Sequence, residues 1–73
     1  MISEVIRFQG NDMVLVFDEQ GEQMPRFQGR YEAVRAKILA RAPKEAKFYH
    51  GILNPLGGQN VHFIKGEVSR KEW

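Results

Sequence analysis

The chain has 73 residues, no cysteine, and a net charge of +2 at neutral pH, with 11 Lys and Arg against 9 Asp and Glu. That length is one small domain, residues 1–73, burying only roughly 60% of the surface its unfolded chain exposes, and without cysteine it has neither a disulfide framework nor a thiolate metal site. No apolar run nears the ~18–20 residues that cross a bilayer, and residues 1–7 contain Glu4 and lack the apolar stretch of a secretory leader, so a soluble, cytoplasmic protein with no membrane partner is expected.

Residues 2–9 read as a strand, Gly10-Asn11 as a two-residue hairpin loop, and residues 12–18, Asp-Met-Val-Leu-Val-Phe-Asp, as the strongest strand of the chain. With that loop, Phe8 faces Met13, Ile6 faces Leu15 and Glu4 faces Phe17 on one side of the hairpin. Gln9/Asp12, Arg7/Val14 and Val5/Val16 fall on the other. A slip of one residue would send every side chain to the wrong face, so the pattern itself supports this register. Asp18-Glu19-Gln20-Gly21 is a β-turn with Asp first and Gly last. Residues 22–28 follow as a weaker strand, which Pro25 confines to a sheet edge or an extended arm. Arg-Phe-Gln-Gly occurs at 7–10 and again at 26–29. The two copies lead into different periodicities and read as strand ends sharing punctuation, without duplication.

Residues 29–43 hold the only sustained helical pattern. Tyr31, Val34, Ile38, Leu39 and Ala42 form one apolar stripe at i, i+3, i+7, i+8, i+11. Pro43 ends it, and Gly29 is placed at the N-cap with Glu32 in the reach-back position of a capping box. Residues 46–53 and 61–66 read as two more strands around a loop at 54–60. A hairpin symmetric about Gly57 pairs His50 with Ile64 and Ile52 with His62. Phe48, His50, Ile52, His62 and Ile64 then share one face, and Tyr49, Leu53, Val61 and Phe63 the other. The end of the chain, 66–73, is expected to be a loosely packed tail with a Ser69-x-x-Glu72 capping box. Its Trp73 either packs down as a tether, as large indoles usually do, or is offered to a partner.

These elements define an α+β domain of ββ(β)αββ order, a mostly antiparallel sheet of four to five strands with the single helix on one face. The helix can cover only one side of the last hairpin, so Phe48, Ile52 and Ile64 are expected to form an apolar interface, with Trp73 beside them. The expected function is therefore non-catalytic protein binding or assembly, with a second copy of the chain or another protein as partner. Small domains without staples often gain stability by forming homodimers.

Charge is unevenly distributed. Residues 1–24 carry one cation against five acids, a balance of −4, whereas residues 25–47 carry seven cations against two acids, a balance of +5. On the helix Arg30, Lys37, Arg41 and Lys44 fall within about 60° of one another at 100° per residue. With Arg26 and Lys47 near its ends, this row is the candidate for an alternative function, binding the phosphate backbone of a nucleic acid. Such a row also suits cations whose stems cover the border of an apolar face. The exposed side of the same helix presents Ala33, Ala36 and Ala40, small enough to admit a second helix closely or simply good helix formers. His50 and His62 are candidate metal ligands, but two histidines without a third converging donor make an incomplete zinc site. They read as sheet residues with local hydrogen bonds, and no cofactor is assigned. Catalysis has poor material. There is no cysteine or threonine, and Ser3 and Ser69 lie near the chain ends with no histidine close in sequence. Pro55-Leu56-Gly57-Gly58 lacks the Lys-Ser/Thr and following helix of a phosphate loop.

Overall fold

A computed structural model describes residues 1–56 and 60–73, with side chains described for 1–52 and 65–73. Five strands, β1 (Ile2–Phe8), β2 (Met13–Asp18), β3 (Gly29–Arg30), β4 (Lys47–Leu56) and β5 (Asn60–Val68), form one sheet in the order β3-β2-β1-β4-β5, with helix α1 (Tyr31–Arg41) between β3 and β4. Every neighbouring pair is antiparallel except β1 and β4, which run parallel. The architecture is the expected α+β domain.

The first hairpin has the register the pattern dictates, with Phe8 opposite Met13, Ile6 opposite Leu15 and Glu4 opposite Phe17. Its connection differs. Gln9 and Asp12 are not a ladder pair: residues 9–12 form a four-residue turn closed by Asp12 N–H donating to Phe8 O at 2.8 Å. Gln9 instead donates to Gly51 O at 3.0 Å, and Asp12 sits at φ 60°, a left-handed position that short Asx side chains tolerate. Asn11 Oδ1 accepts the Met13 N–H, as an Asx turn does. The turn at Asp18 forms as read, with Gly21 N–H on Asp18 O and Asp18 Oδ1 accepting the Gln20 and Glu22 amides.

Residues 22–28 do not make the expected strand. Only a single bridge, Phe17 to Gln23, forms there before a 3-10 turn over Pro25–Phe27. Proline pre-sets the φ of a first helical position and has no N–H to lose there. The turn delivers Phe27 into the core, and Gln28 Oε1 takes the Val16 amide that a full third strand would have bonded. The N-cap of α1 is Arg30, not Gly29, and it makes no side-chain capping bond. Gly29 belongs to β3 at φ 143°, and the Tyr31 amide is satisfied by Asp12 O at 2.9 Å. The helix closes as predicted, its C-cap Ala42 lying just before Pro43.

The core lies between α1 and one sheet face. Val34 and Ile38 from the helix meet Val5, Val14, Val16 and Phe48, with Ile2, Phe27 and Trp73 around them. Tyr31, Leu39 and Ala42 pack at its border, so the whole predicted stripe faces inward.

The second hairpin is longer than read. Asn54, Pro55 and Leu56 belong to β4, and Asn60 begins β5; residues 57–59 of the expected loop, including Gly57 and Gly58, lie outside the described residues. Pro55 is tolerable because β4 has left β1 behind by then, so its missing N–H costs no bond on that side. The pairing is shifted by two residues, with Ile52 opposite Ile64 and His50 opposite Gly66. The even shift keeps the predicted alternation of faces. The C-terminal segment is no loose tail. Residues 66–68 are in β5, and a tight turn after Ser69 brings Trp73 into the core at 3% exposure.

Candidate functional site

Two surfaces are left once the core is closed: the far end of the second hairpin with the helix-free sheet face, and the cationic border of α1. The hairpin is positioned by the one parallel pairing. β1 runs beside β4 from Glu4 opposite Lys47 to Phe8 opposite Gly51 and then turns away. From Ile52 opposite Ile64 to Leu56 opposite Asn60, β4 and β5 pair only with each other. This ribbon is rich in apolar residues (Ile52, Leu53, Leu56, Val61, Phe63 and Ile64), and two strands alone are marginal in water. At its root Ile52 is 55% exposed and lines, with Phe8, Gly10 and Asn11, a groove of about 230 Å³.

Phe48 and Trp73 leave the set of expected interface residues. Parallel register puts Phe48 beside Val5, on the helix side, where it is buried against the indole with ring centroids 5.0 Å apart. Ile52 remains exposed; the side chain of Ile64 lies outside the described ones. The helix-free face carries residues that the sequence does not single out as interface: Leu15, Phe17 and Tyr49 are half-buried, and Met13 is 38% exposed. Lys65 lies across this face, its Nζ 4.5 Å above the Tyr49 ring and 3.1 Å from Glu4. Ile6 and Phe8 beneath are nearly inaccessible.

Of the cations, Arg26, Arg30, Lys37, Arg41, Lys44 and Lys47 are all exposed. Lys37 Nζ donates to Arg26 O at 2.8 Å, which draws the 3-10 turn against the helix row. Arg30 pairs with Glu32 at 3.4 Å. Among the described residues Arg26, Lys37, Arg41 and Lys44 have no acidic partner. Lys47 is displaced from the row: it alternates with buried Phe48 and stands beside Glu4 on the helix-free side. Its place is taken by a residue far away in sequence. Arg70 donates to Ala42 O at 3.3 Å and to Pro43 O at 2.6 Å, and its guanidinium lies 4.9 Å over the Phe48 ring. The carbonyl end of a helix is the negative end of its dipole, so this docking is electrostatically favourable.

The C-terminal turn is held by a complete capping box. Ser69 Oγ accepts the Glu72 N–H at 3.1 Å, and Glu72 Oε1 accepts from the Ser69 amide and hydroxyl at 3.3 and 3.0 Å. The Ser69 hydroxyl, and then its amide, hold the Glu72 carboxyl below the ordinary carboxylate range. Ser69 is thus engaged by a carboxylate. Arg7 completes the anchorage. It stacks 3.5 Å from the Tyr31 ring centroid, donates Nε to Asp12 at 2.7 Å and donates Nη1 to Trp73 O at 2.9 Å.

His50 and His62 are not neighbours. His50 stands opposite Gly66 and His62 opposite Asn54, four positions apart along the ribbon, or about 13 Å at ~3.3 Å per residue. His50 Nδ1 lies 3.3 Å from Gln9 Nε2, while among the described residues its buried Nε2 and the Trp73 Nε1 have no hydrogen-bond partner. Among the described residues no three His, Asp or Glu side chains converge as metal ligands, and no helix is long and apolar enough to cross a membrane. In comparison with known proteins, no family model, no curated protein and no solved structure matches the chain.

Proposed function

We propose that the chain is a small non-catalytic assembly module whose partner is a second copy of itself, joined through the β4–β5 ribbon. The observation that carries this reading is that β4 outruns β1 after Gly51, leaving a two-stranded, largely apolar ribbon beside an exposed Ile52. In sequence its apolar residues stand at both odd and even positions, so a single covering layer does not suit both strands. A twofold arrangement in which each ribbon lies on the other supplies the missing layer to both copies at once. The groove formed by Phe8, Gly10, Asn11 and Ile52 adjoins the ribbon and extends the same surface.

The test is the molar mass of the full chain by sedimentation equilibrium over a range of concentrations. The wild type is expected at twice the chain mass, and Ile52→Glu and Ile64→Glu as folded monomers with unchanged far-ultraviolet circular dichroism. A wild type that stays monomeric throughout, or both variants retaining the doubled mass, overturns the proposal. Ile52 is already more than half exposed, so a charge there does not enter the core and loss of fold is not expected.

A further inference from the structure

We infer that the helix side of the domain is a second binding surface, a phosphate-backbone site for double-stranded nucleic acid formed by Arg26, Lys37, Arg41, Lys44 and Arg70. Two contacts assemble it. The Lys37–Arg26 bond brings the 3-10 turn to the middle of the helix, and the Arg70 fork on Ala42 O and Pro43 O adds a cation between Arg41 and Lys44. The sequence places Arg70 29 positions away from Arg41; only the fold-back of the Trp73 segment joins them.

The five cations are exposed, and among the described residues none has an acidic partner. Lys37 to Arg41 is one helical step of about 6 Å, and the row continues past the C-cap. A line of that kind fits a linear polyanion better than a single phosphate. The surface also tells which polyanion. Single strands are gripped by aromatic platforms on which bases stack. Here every described aromatic side chain is buried or half-buried, including Tyr31 and Phe27 beside the row. Contacts limited to cations position a duplex backbone without reading its bases. Binding should therefore be indifferent to sequence and steeply dependent on salt. This surface and the ribbon are built from different elements, so neither proposal requires the other.

The experiment is a titration of the full-length protein with a short mixed-sequence DNA duplex across a salt series, with the same series for a single strand. The duplex is expected to bind more tightly, with log K falling linearly in log salt. Arg41 and Lys44 make no side-chain hydrogen bond or ion pair among the described residues, so Arg41→Glu and Lys44→Glu break none. Each should flatten the slope by about 0.9 for the phosphate contact it loses, whereas Lys47→Glu, on the other side of the sheet, should leave the slope unchanged. No duplex binding at low salt overturns the inference, as does an equal loss in all three variants, which would mean net charge and no site. Binding confined to anionic lipid vesicles overturns it as well.

Discussion

The burial of Trp73 makes a quantitative demand on the fold. The indole is 3% exposed and meets Tyr31 edge-on at 5.1 Å and Phe48 at 5.0 Å between ring centroids. Truncating a buried Trp to Ala costs ~3–5 kcal/mol, whereas a domain of this length has roughly 4–11 kcal/mol in all at ~0.05–0.15 kcal/mol per residue. Trp73→Ala should therefore remove about half of the stability, or all of it at the lower bound. Trp73→Phe should behave quite differently. It keeps much of the ring contact and removes an indole N–H that is buried without a partner among the described residues, whose desolvation costs about 1–3 kcal/mol. The Phe variant should then recover at least half of what Ala loses. Urea unfolding followed by circular dichroism at one fixed protein concentration measures both, since indole fluorescence disappears with the substitution and association would shift the midpoint. A loss below about 1 kcal/mol for Trp73→Ala would refute the reasoning, because no well-packed indole is removed that cheaply.

Two further outcomes follow from local geometry. At Gly51 an added Cβ would lie 2.9 Å from Ile6 Cγ2 and 3.1 Å from Phe8 Cε1, so Gly51→Ala should destabilise by ~1–3 kcal/mol in the same urea assay; an unchanged midpoint would mean that β1 and β4 separate freely. Glu72 has its carboxyl pKa depressed by Ser69, so its tethering contribution is fully present above the ordinary carboxylate value and is lost as pH falls through the lowered one. Glu72→Gln keeps a capping partner but cannot titrate, and Trp73 fluorescence in the variant should lose part of the wild-type acid transition; superimposable acid profiles would show that the carboxylate plays no such part.

What is legible in the sequence follows the range of the signal. The β1–β2 register and the helix stripe rest on neighbours within a few residues, and alternation or 3.6-residue spacing specifies them almost completely. The Ser69–Glu72 capping box is equally local. The assignment of Phe48 to an interface fails for the opposite reason. Its face depends on β4 pairing with β1 in parallel, a contact between residues 43 positions apart, Val5 and Phe48, which no local period encodes. The same distance hides Arg70 from the basic row and moves Lys47 out of it. Pro25 misleads in another way: it is correctly read as hostile to a ladder, but it starts a 3-10 turn and so ends the strand altogether. Asp12 shows turn chemistry overriding a dipeptide signal, since Gly10-Asn11 is present but the left-handed Asp that follows it lengthens the loop.

The C-terminal segment links the two surfaces to the core. Trp73 supplies the apolar lid between Tyr31 and Phe48, Arg7 holds its carbonyl, and the Ser69–Glu72 box fixes the turn that lets the indole reach inward. The same turn sets Arg70 on the carbonyls that follow α1. A single anchoring event therefore both completes the core and places the fifth cation of the row. A substitution that frees Trp73 should thus weaken polyanion binding without touching any cation, whereas a substitution at Arg41 or Lys44 should weaken binding without touching stability. That asymmetry separates a surface built by the fold from a merely basic sequence, in which charge would act the same way wherever it lay.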